Sequence, residues 1–365
     1  MEQPLRVLVV DDTVTYRKLA RDVLASLSGV EVVGTAANGK IALERVEQHH
    51  PDLLLLDLEM PEVDGLEVLR RLKVAGGDVG AIMLSAVTDT KATMNALELG
   101  AFDFIVKPGG NSLEENVQRL RGELRSKLDA FARTRSIRRI LHEPAETCAR
   151  RLPEPTPPAS DAAFAGERPH ATMTAPAVVA LGISTGGPQA LTEMLPKLPA
   201  SLPVPVLIVQ HMPPVFTRSL AEDLNGRCAL RVCEASDGQV VASGDVLIAP
   251  GGKQMRVERE NGTVIVRITD DPPELSCKPS VDYLFRSVAD VYGGNVVGVI
   301  MTGMGSDGVR GCRMLKQRGA AIIAQDQATC VVFGMPRGLV EQGIADVVAP
   351  LGDIAGEIVR LATRR

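Results

Sequence analysis

Ten short aliphatic runs, most of them followed by a stretch of helical periodicity, limit what this chain can fold into. In the N-terminal third they are LRVLVV (5–10), VEVVGT (30–35), DLLLLD (52–57), AIMLSA (81–86) and DFIVKP (103–108). Further on come AVVALGI (177–183), VPVLIVQ (204–210), VLIAP (246–250), VVGVIM (296–301) and AAIIAQ (320–325). A run that is apolar at successive positions turns oily side chains to both faces, so it predicts a strand of a parallel sheet covered on both sides. Between the runs apolar residues recur at spacings of three and four, as in Tyr16, Leu19, Val23, Leu24 and Leu27, which predicts the covering helices. Aromatics are only 3% and Trp is absent, so the cores must be built from Val, Leu, Ile and Ala.

The two sets of runs are separated by a change of character. From about Arg133 to Pro176 apolar periodicity is lost, and seven prolines follow His142. Such composition predicts a linker. Its start, with Arg133, Arg135, Arg138 and Arg139, reads as a helix continuing with a solvated basic face. The expected organisation is a doubly wound α/β domain over 1–125, a linker over 126–176 (helix continuation, then Pro/Ala-rich), and a second α/β parallel-sheet domain over 177–365. In the second domain, helical patterns follow Gly187, Pro214, Val281, Asp307 and Met335. KQMRVERENGTVIVRIT reads as a hairpin turning at Asn261-Gly262.

Several function classes fit poorly. The net charge is −5, and from Ala177 onward 18 Lys/Arg face 19 Asp/Glu, so there is no basic footprint for nucleic acid. The cysteines, Cys148, Cys228, Cys233, Cys277, Cys312 and Cys330, form no C-x-x-C pair and are expected as thiols in a reducing compartment. No apolar run reaches membrane-span length, and the N-terminus turns acidic at Asp11-Asp12. The expectation is a cytoplasmic protein without membrane insertion.

Chemistry concentrates where ligands gather in open α/β sheets, at the carboxyl ends of strands. The first run ends in Asp11 and Asp12, the third in Asp57, the fourth in Ser85 and the fifth in Lys107. Converging carboxylates repel unless a cation sits among them, and hard oxygen ligands suit Mg²⁺. A carboxylate beside such a metal can take up a phosphoryl group, with Lys107 pairing to the phosphoryl oxygens and Ser85 hydrogen-bonding one of them. VLVVDDT, PDLLLLDLEMPEVDGLEVL, MLSA and FDFIVKP resemble the flavodoxin-like receiver domain of two-component response regulators over about residues 4–125. The resemblance implies that Asp57 accepts a phosphoryl group from a sensor histidine kinase. It implies Mg²⁺ held by Asp11, Asp12, Asp57 and the Glu59 backbone carbonyl, and an aromatic switch residue at Phe104.

In the second domain GISTGGP can be read as a phosphate loop or as a nucleophile turn around Ser184. A P-loop needs Lys after its last glycine, and here Pro188 and Gln189 follow. A glycine-rich helix start can still bind an anion, so a nucleotide-binding module stays in play. A serine nucleophile needs a base, and His211, directly after a strand, is the one histidine of this domain. A base needs an orienting carboxylate. Asp307, in the turn of GVIMTGMGSDGVRGC, is the candidate, and Asp282 is the runner-up, at a helix start where capping would also explain it.

GISTGGP, VQHMPPVFTRSLAEDLN, KPSVDYLFRSVA and MTGMGSDGVRG resemble the catalytic domain of the chemotaxis protein-glutamate methylesterases, and the order receiver, linker, hydrolase is that family's architecture. The resemblance maps nucleophile, base and orienting acid onto Ser184, His211 and Asp307, and the oxyanion site onto the Met304 N–H with the Thr185 region. It implies a phosphorylation-activated hydrolase with no cofactor for its esterase chemistry. Its substrates would be glutamate methyl esters, and also glutamines, on methyl-accepting chemoreceptors. Ile183 departs from the pattern where a small residue is expected, which suggests an altered pocket beside Ser184.

Overall fold

A computed structural model of the chain describes residues 3–76, 78–86, 89–109, 112–142 and 176–364. The segment over 143–175, with Cys148 and most of the expected linker, lies outside the described residues. In the first unit strands β1 (Leu5–Val10), β2 (Val30–Ala36), β3 (Leu53–Asp57), β4 (Gly80–Ser85) and β5 (Asp103–Val106) alternate with helices α1 (Val14–Ala25), α2 (Gly39–His49), α3 (Gly65–Ala75), α4 (Thr90–Leu99) and α5 (Leu113–His142). The sheet order is β2-β1-β3-β4-β5, all parallel. Every residue of β3 is buried, as its unbroken leucine run requires of a central strand. Helix α5 runs for 30 residues and so carries past the first unit.

The second unit comprises β6 (Val178–Ile183), α6 (Gly187–Met194), β7 (Val206–Gln210), α7 (Phe216–Asn225), β8 (Arg231–Glu234) and β9 (Asp245–Ile248). It continues with β10 (Gln254–Glu260), β11 (Thr263–Thr269), α8 (Val281–Tyr292), β12 (Val296–Ile300), α9 (Val309–Gln317), β13 (Ala321–Gln325), α10 (Met335–Glu341), β14 (Val347–Ala349) and α11 (Leu351–Ala362). Its sheet is ordered β14-β13-β12-β6-β7-β9-β8 and is parallel throughout. The chain builds outward from β6 to one side, then returns to β12 on the other. The crevice at β6 and β12 is therefore the topological switch point, where such sheets bind ligands. Strands β10 and β11 form the expected hairpin, with Asn261 and Gly262 both at positive φ (49° and 84°), as a two-residue primed turn demands.

The two units pack together. The Phe104 ring lies 4.7 Å from that of Phe216. Glu98, at the end of α4, pairs with Arg227 just beyond α7 at 2.6 Å. Further along α5, Thr134 donates to the carbonyl of Val331 at 2.8 Å.

Candidate active site

The position of the Ser184 turn follows from strand register. Ile183 pairs with Gln210 across β6 and β7, so Ser184 and His211 emerge side by side from neighbouring strands. The turn is pinned by backbone bonds: the Ser184 N–H donates to the Thr302 carbonyl at 2.9 Å, and the Gly187 N–H to the Ser184 carbonyl at 2.7 Å. Gln210, fully buried, adds its Nε2 to the Ser184 carbonyl at 3.0 Å. A side chain at Gly187 would collide with the Gln210 amide, so this glycine supplies clearance rather than a phosphate cradle. Ile183 is fully buried in the core and is not among the residues lining the small cavity beside Ser184.

Asp307 sits in the turn between β12 and α9 and is 2% exposed. Its Oδ2 lies 2.9 Å from His211 Nε2 and accepts the Val281 N–H at 2.7 Å. Its Oδ1 accepts from Ser280 Oγ at 3.0 Å and from the Asp282 N–H at 2.9 Å. The carboxylate thus rests on the N-terminus of α8, where backbone donors and the helix dipole favour negative charge. Burial pushes its pKa up, but His211 and the α8 N–H groups outweigh that, leaving the acid below its usual range.

The other imidazole nitrogen, Nδ1, faces Cys277 Sγ at 3.8 Å. Burial depresses the pKa of His211, yet the hydrogen bonds with Asp307 and Cys277 prevail and raise it to about 9. Among the described residues neither ring nitrogen is bonded to Ser184 Oγ: Nε2 is taken by Asp307 and Nδ1 faces Cys277. Met304 lies on the loop after β12, and Thr185 follows Ser184 directly. Thr302 Oγ1 donates to the Thr185 carbonyl at 2.9 Å, fastening the two loops together.

The first unit closes over this site. Asp103 of β5 accepts Thr185 Oγ1 at 2.9 Å and pairs with Lys127 of α5 at 2.8 Å through the same oxygen. Ser126 Oγ approaches Met304 Sδ at 3.6 Å. What remains is a cavity of about 80 Å³ lined by Asp103, Phe104 and Lys127 on one side and Ser184, Thr185 and His211 on the other. That is room for a few waters and none for a receptor helix.

The CheB methylesterase family model matches residues 179–358 and the response regulator receiver domain model residues 7–118. A protein-glutamate methylesterase/protein-glutamine glutaminase of Desulfotalea psychrophila is 48% identical, over 97% of this chain and 98% of that protein. This chain belongs to the CheB methylesterase family. A protein-glutamate methylesterase/protein-glutamine glutaminase of Trichodesmium erythraeum is 42% identical over the same shares of the two chains. The catalytic domain of the Thermotoga maritima CheB methylesterase is similar in structure, with a TM-score of 0.50 and 40% identity over 52% of this chain and all of that one. The first unit of this family member is a receiver domain.

In the receiver, Asp11, Asp12 and Asp57 bring carboxylate oxygens within 4.8 Å of one another. Lys107 Nζ bridges two of these acids, 2.8 Å from Asp11 Oδ2 and 2.7 Å from Asp57 Oδ2. Burial raises the pKa of Asp57 to about 6 against the lowering effect of Lys107, with Asp11 and Asp12 adding repulsion. This hard-oxygen donor set fits Mg²⁺. Ser85 is fully buried, and its hydroxyl is engaged by Thr93 Oγ1 at 2.6 Å and by the Ala86 carbonyl at 2.9 Å. Glu59 lies two residues past Asp57, at the rim.

Sequence reasoning did not single out Cys277, Ser280, Gln210 or Asp103. Gln210 sat in plain view beside His211. The others reach the site through contacts far apart in sequence, and no local pattern marks them.

Proposed function

We propose that the protein hydrolyses γ-glutamyl methyl esters on methyl-accepting chemoreceptors, and glutamine side-chain amides at the same site, under control of phosphorylation at Asp57. The observation that carries this reading is the meeting of three strand-end turns at the switch point, with Asp307 Oδ2 2.9 Å from His211 Nε2 and Ser184 in the adjacent register position. Ser184 Oγ attacks the ester carbonyl while His211 takes its proton. The oxyanion meets the backbone N–H groups of Met304 and Thr185; such donors are worth roughly 3–4 kcal/mol in other enzymes. His211 then returns the proton to departing methanol, and water, deprotonated by the same base, releases the glutamate. Asp307 holds the imidazole in place and balances its charge.

The arrangement described here is a resting form. With Nε2 on Asp307 and Nδ1 facing Cys277, His211 does not reach the Ser184 hydroxyl, so the working form needs the ring to release the thiol and meet Ser184. The closed cavity also excludes a receptor helix. Phosphorylation by a sensor histidine kinase shifts the chain toward an uncovered form. Asp11, Asp12 and Asp57, with the Glu59 carbonyl, would hold Mg²⁺, which supplies charge neutralisation for phosphoryl transfer. Lys107, Ser85 and Phe104 report the modified state. Among the described residues no helix is long and apolar enough to cross a membrane, in keeping with action from the cytoplasm on receptor domains there.

The test is methanol release from methylated receptor membranes, with and without a small-molecule phosphodonor. Wild type should respond to the donor, Ser184→Ala should release none, and Asp57→Ala should keep only the basal rate. Release by Ser184→Ala at the wild-type rate would refute the reading.

A further inference from the structure

Asp282 is 3% exposed, and its carboxyl group has no part in the chemistry above. It is not the cap of its own helix, since Ser280 is the N-cap of α8 and accepts the Tyr283 N–H at 3.3 Å. The Asp282 side chain reaches instead to the next helix. Its Oδ1 accepts the Gly308 N–H at 3.0 Å and the Gly311 N–H at 2.7 Å, two donors at the start of α9. Asp307, one residue before Gly308, does the converse, accepting the Ser280 hydroxyl and the N–H groups of Val281 and Asp282 at the start of α8. Each helix start is therefore capped by an aspartate from the other. At Gly311 a Cβ would come within 2.5 Å of Phe285, so the close approach of the two helices is built in.

We propose that Asp282 is a positioning residue for the hydrolase: it pins the Gly308–Gly311 turn, and thereby the neighbouring Asp307 carboxylate, in line with His211. The two acids are held differently. Asp307 receives four donors across both oxygens, the His211 ring among them. Asp282 receives two donors on one oxygen, and its Oδ2 is buried without a hydrogen-bond partner among the described residues. Burial and the neighbouring Asp307 raise the pKa of Asp282. The amide of Asn offers an acceptor oxygen of the same reach to the Gly308 and Gly311 N–H groups and can replace it; Ala cannot.

The inference rests on the methylesterase reading, and its test separates the two. The full chain is assayed with phosphodonor and methylated receptor membranes, and kcat and KM are measured separately. Asp282→Ala should lower kcat by about 10- to 100-fold with KM unchanged, and Asp282→Asn should stay within about threefold of wild type. In an Asp307→Ala background, Asp282→Ala should add no further loss, because the group it positions is gone. Multiplying losses, or equal damage from Asn and Ala, would overturn the proposal. If Asp282→Ala does not fold, Asp282→Asn decides alone, and a loss beyond tenfold sinks it. Ser184→Ala runs beside these as the control, and undiminished release there would bring down the underlying reading and this inference together.

Discussion

Breaking the cover from outside the catalytic centre should switch the enzyme on without phosphate. Glu98 and Arg227 join the receiver to the second unit at 2.6 Å, with side chains 33% and 40% exposed. A pair so open to solvent is worth about 0.5 kcal/mol, and Arg227 keeps Asp223 at 3.0 Å when Glu98 is removed. Glu98→Arg also sets two guanidinium groups against each other, adding about 1 kcal/mol of repulsion at roughly 4 Å in water. The covered form loses about 1.5 kcal/mol, which moves the covered-to-open ratio roughly tenfold. While the covered form dominates, basal methanol release from methylated receptor membranes should rise by about that factor. The rate with saturating phosphodonor should not change, and the double variant Glu98→Arg with Arg227→Glu should return toward the wild-type basal rate. The gain should shrink in high salt, since exposed charges are screened. Equal increases with and without phosphodonor, or no recovery in the double variant, would refute the argument.

Other outcomes follow from the same geometry. Asp307→Asn should lower kcat by roughly 10⁴-fold, by analogy with loss of the orienting acid in serine proteases, measured as single-turnover methanol release. Cys277→Ser removes the thiol that helps raise His211 to about 9, so the acid limb of the kcat/KM profile should move to lower pH; an unmoved limb would exclude the thiol. The raised pKa also means that the stabilisation from the charged imidazole is complete below about 6.5 and is lost as the pH rises through about 9. Urea unfolding across that range should show the decline in wild type and less of it in His211→Gln. Phe285 is fully buried in α8, and Phe285→Ala should lower stability by about 3–5 kcal/mol, read from the urea midpoint.

The sequence was most legible where both faces of an element are buried. Leu53 to Leu56 could form little other than a central strand. Edge elements were missed for the converse reason. Strand β8 is RVCE, with one face toward solvent, and β14 has three residues, too short for any period to register. Helix α11, whose Ile354, Ala355, Ile358 and Leu361 bury one stripe, follows the three-residue β14 and so has no long aliphatic run to announce it. At the site, Ser184 and Asp307 stood out because each lies in a glycine-rich turn after a strand, and His211 because it is the one histidine of its domain. Cys277 could not, since it arrives on a loop 66 residues from His211. Ile183 adjoins Ser184 in the chain, but it is buried in the core and does not line the cavity.

Strand β5 carries Asp103 and Phe104 at its start, where they touch the hydrolase, and leads into Lys107, which touches Asp57. Four residues of extended chain span about 13 Å, and every link is covalent. A signal entering at the phosphoryl pocket thus needs no relay through side chains to reach the lid. It has a tie-rod, stiff along its length, whose two ends are the sensor and the latch. A substitution that shifts this rod would detune both ends at once, so sensitivity to phosphate and tightness of closure should drift together among variants of β5.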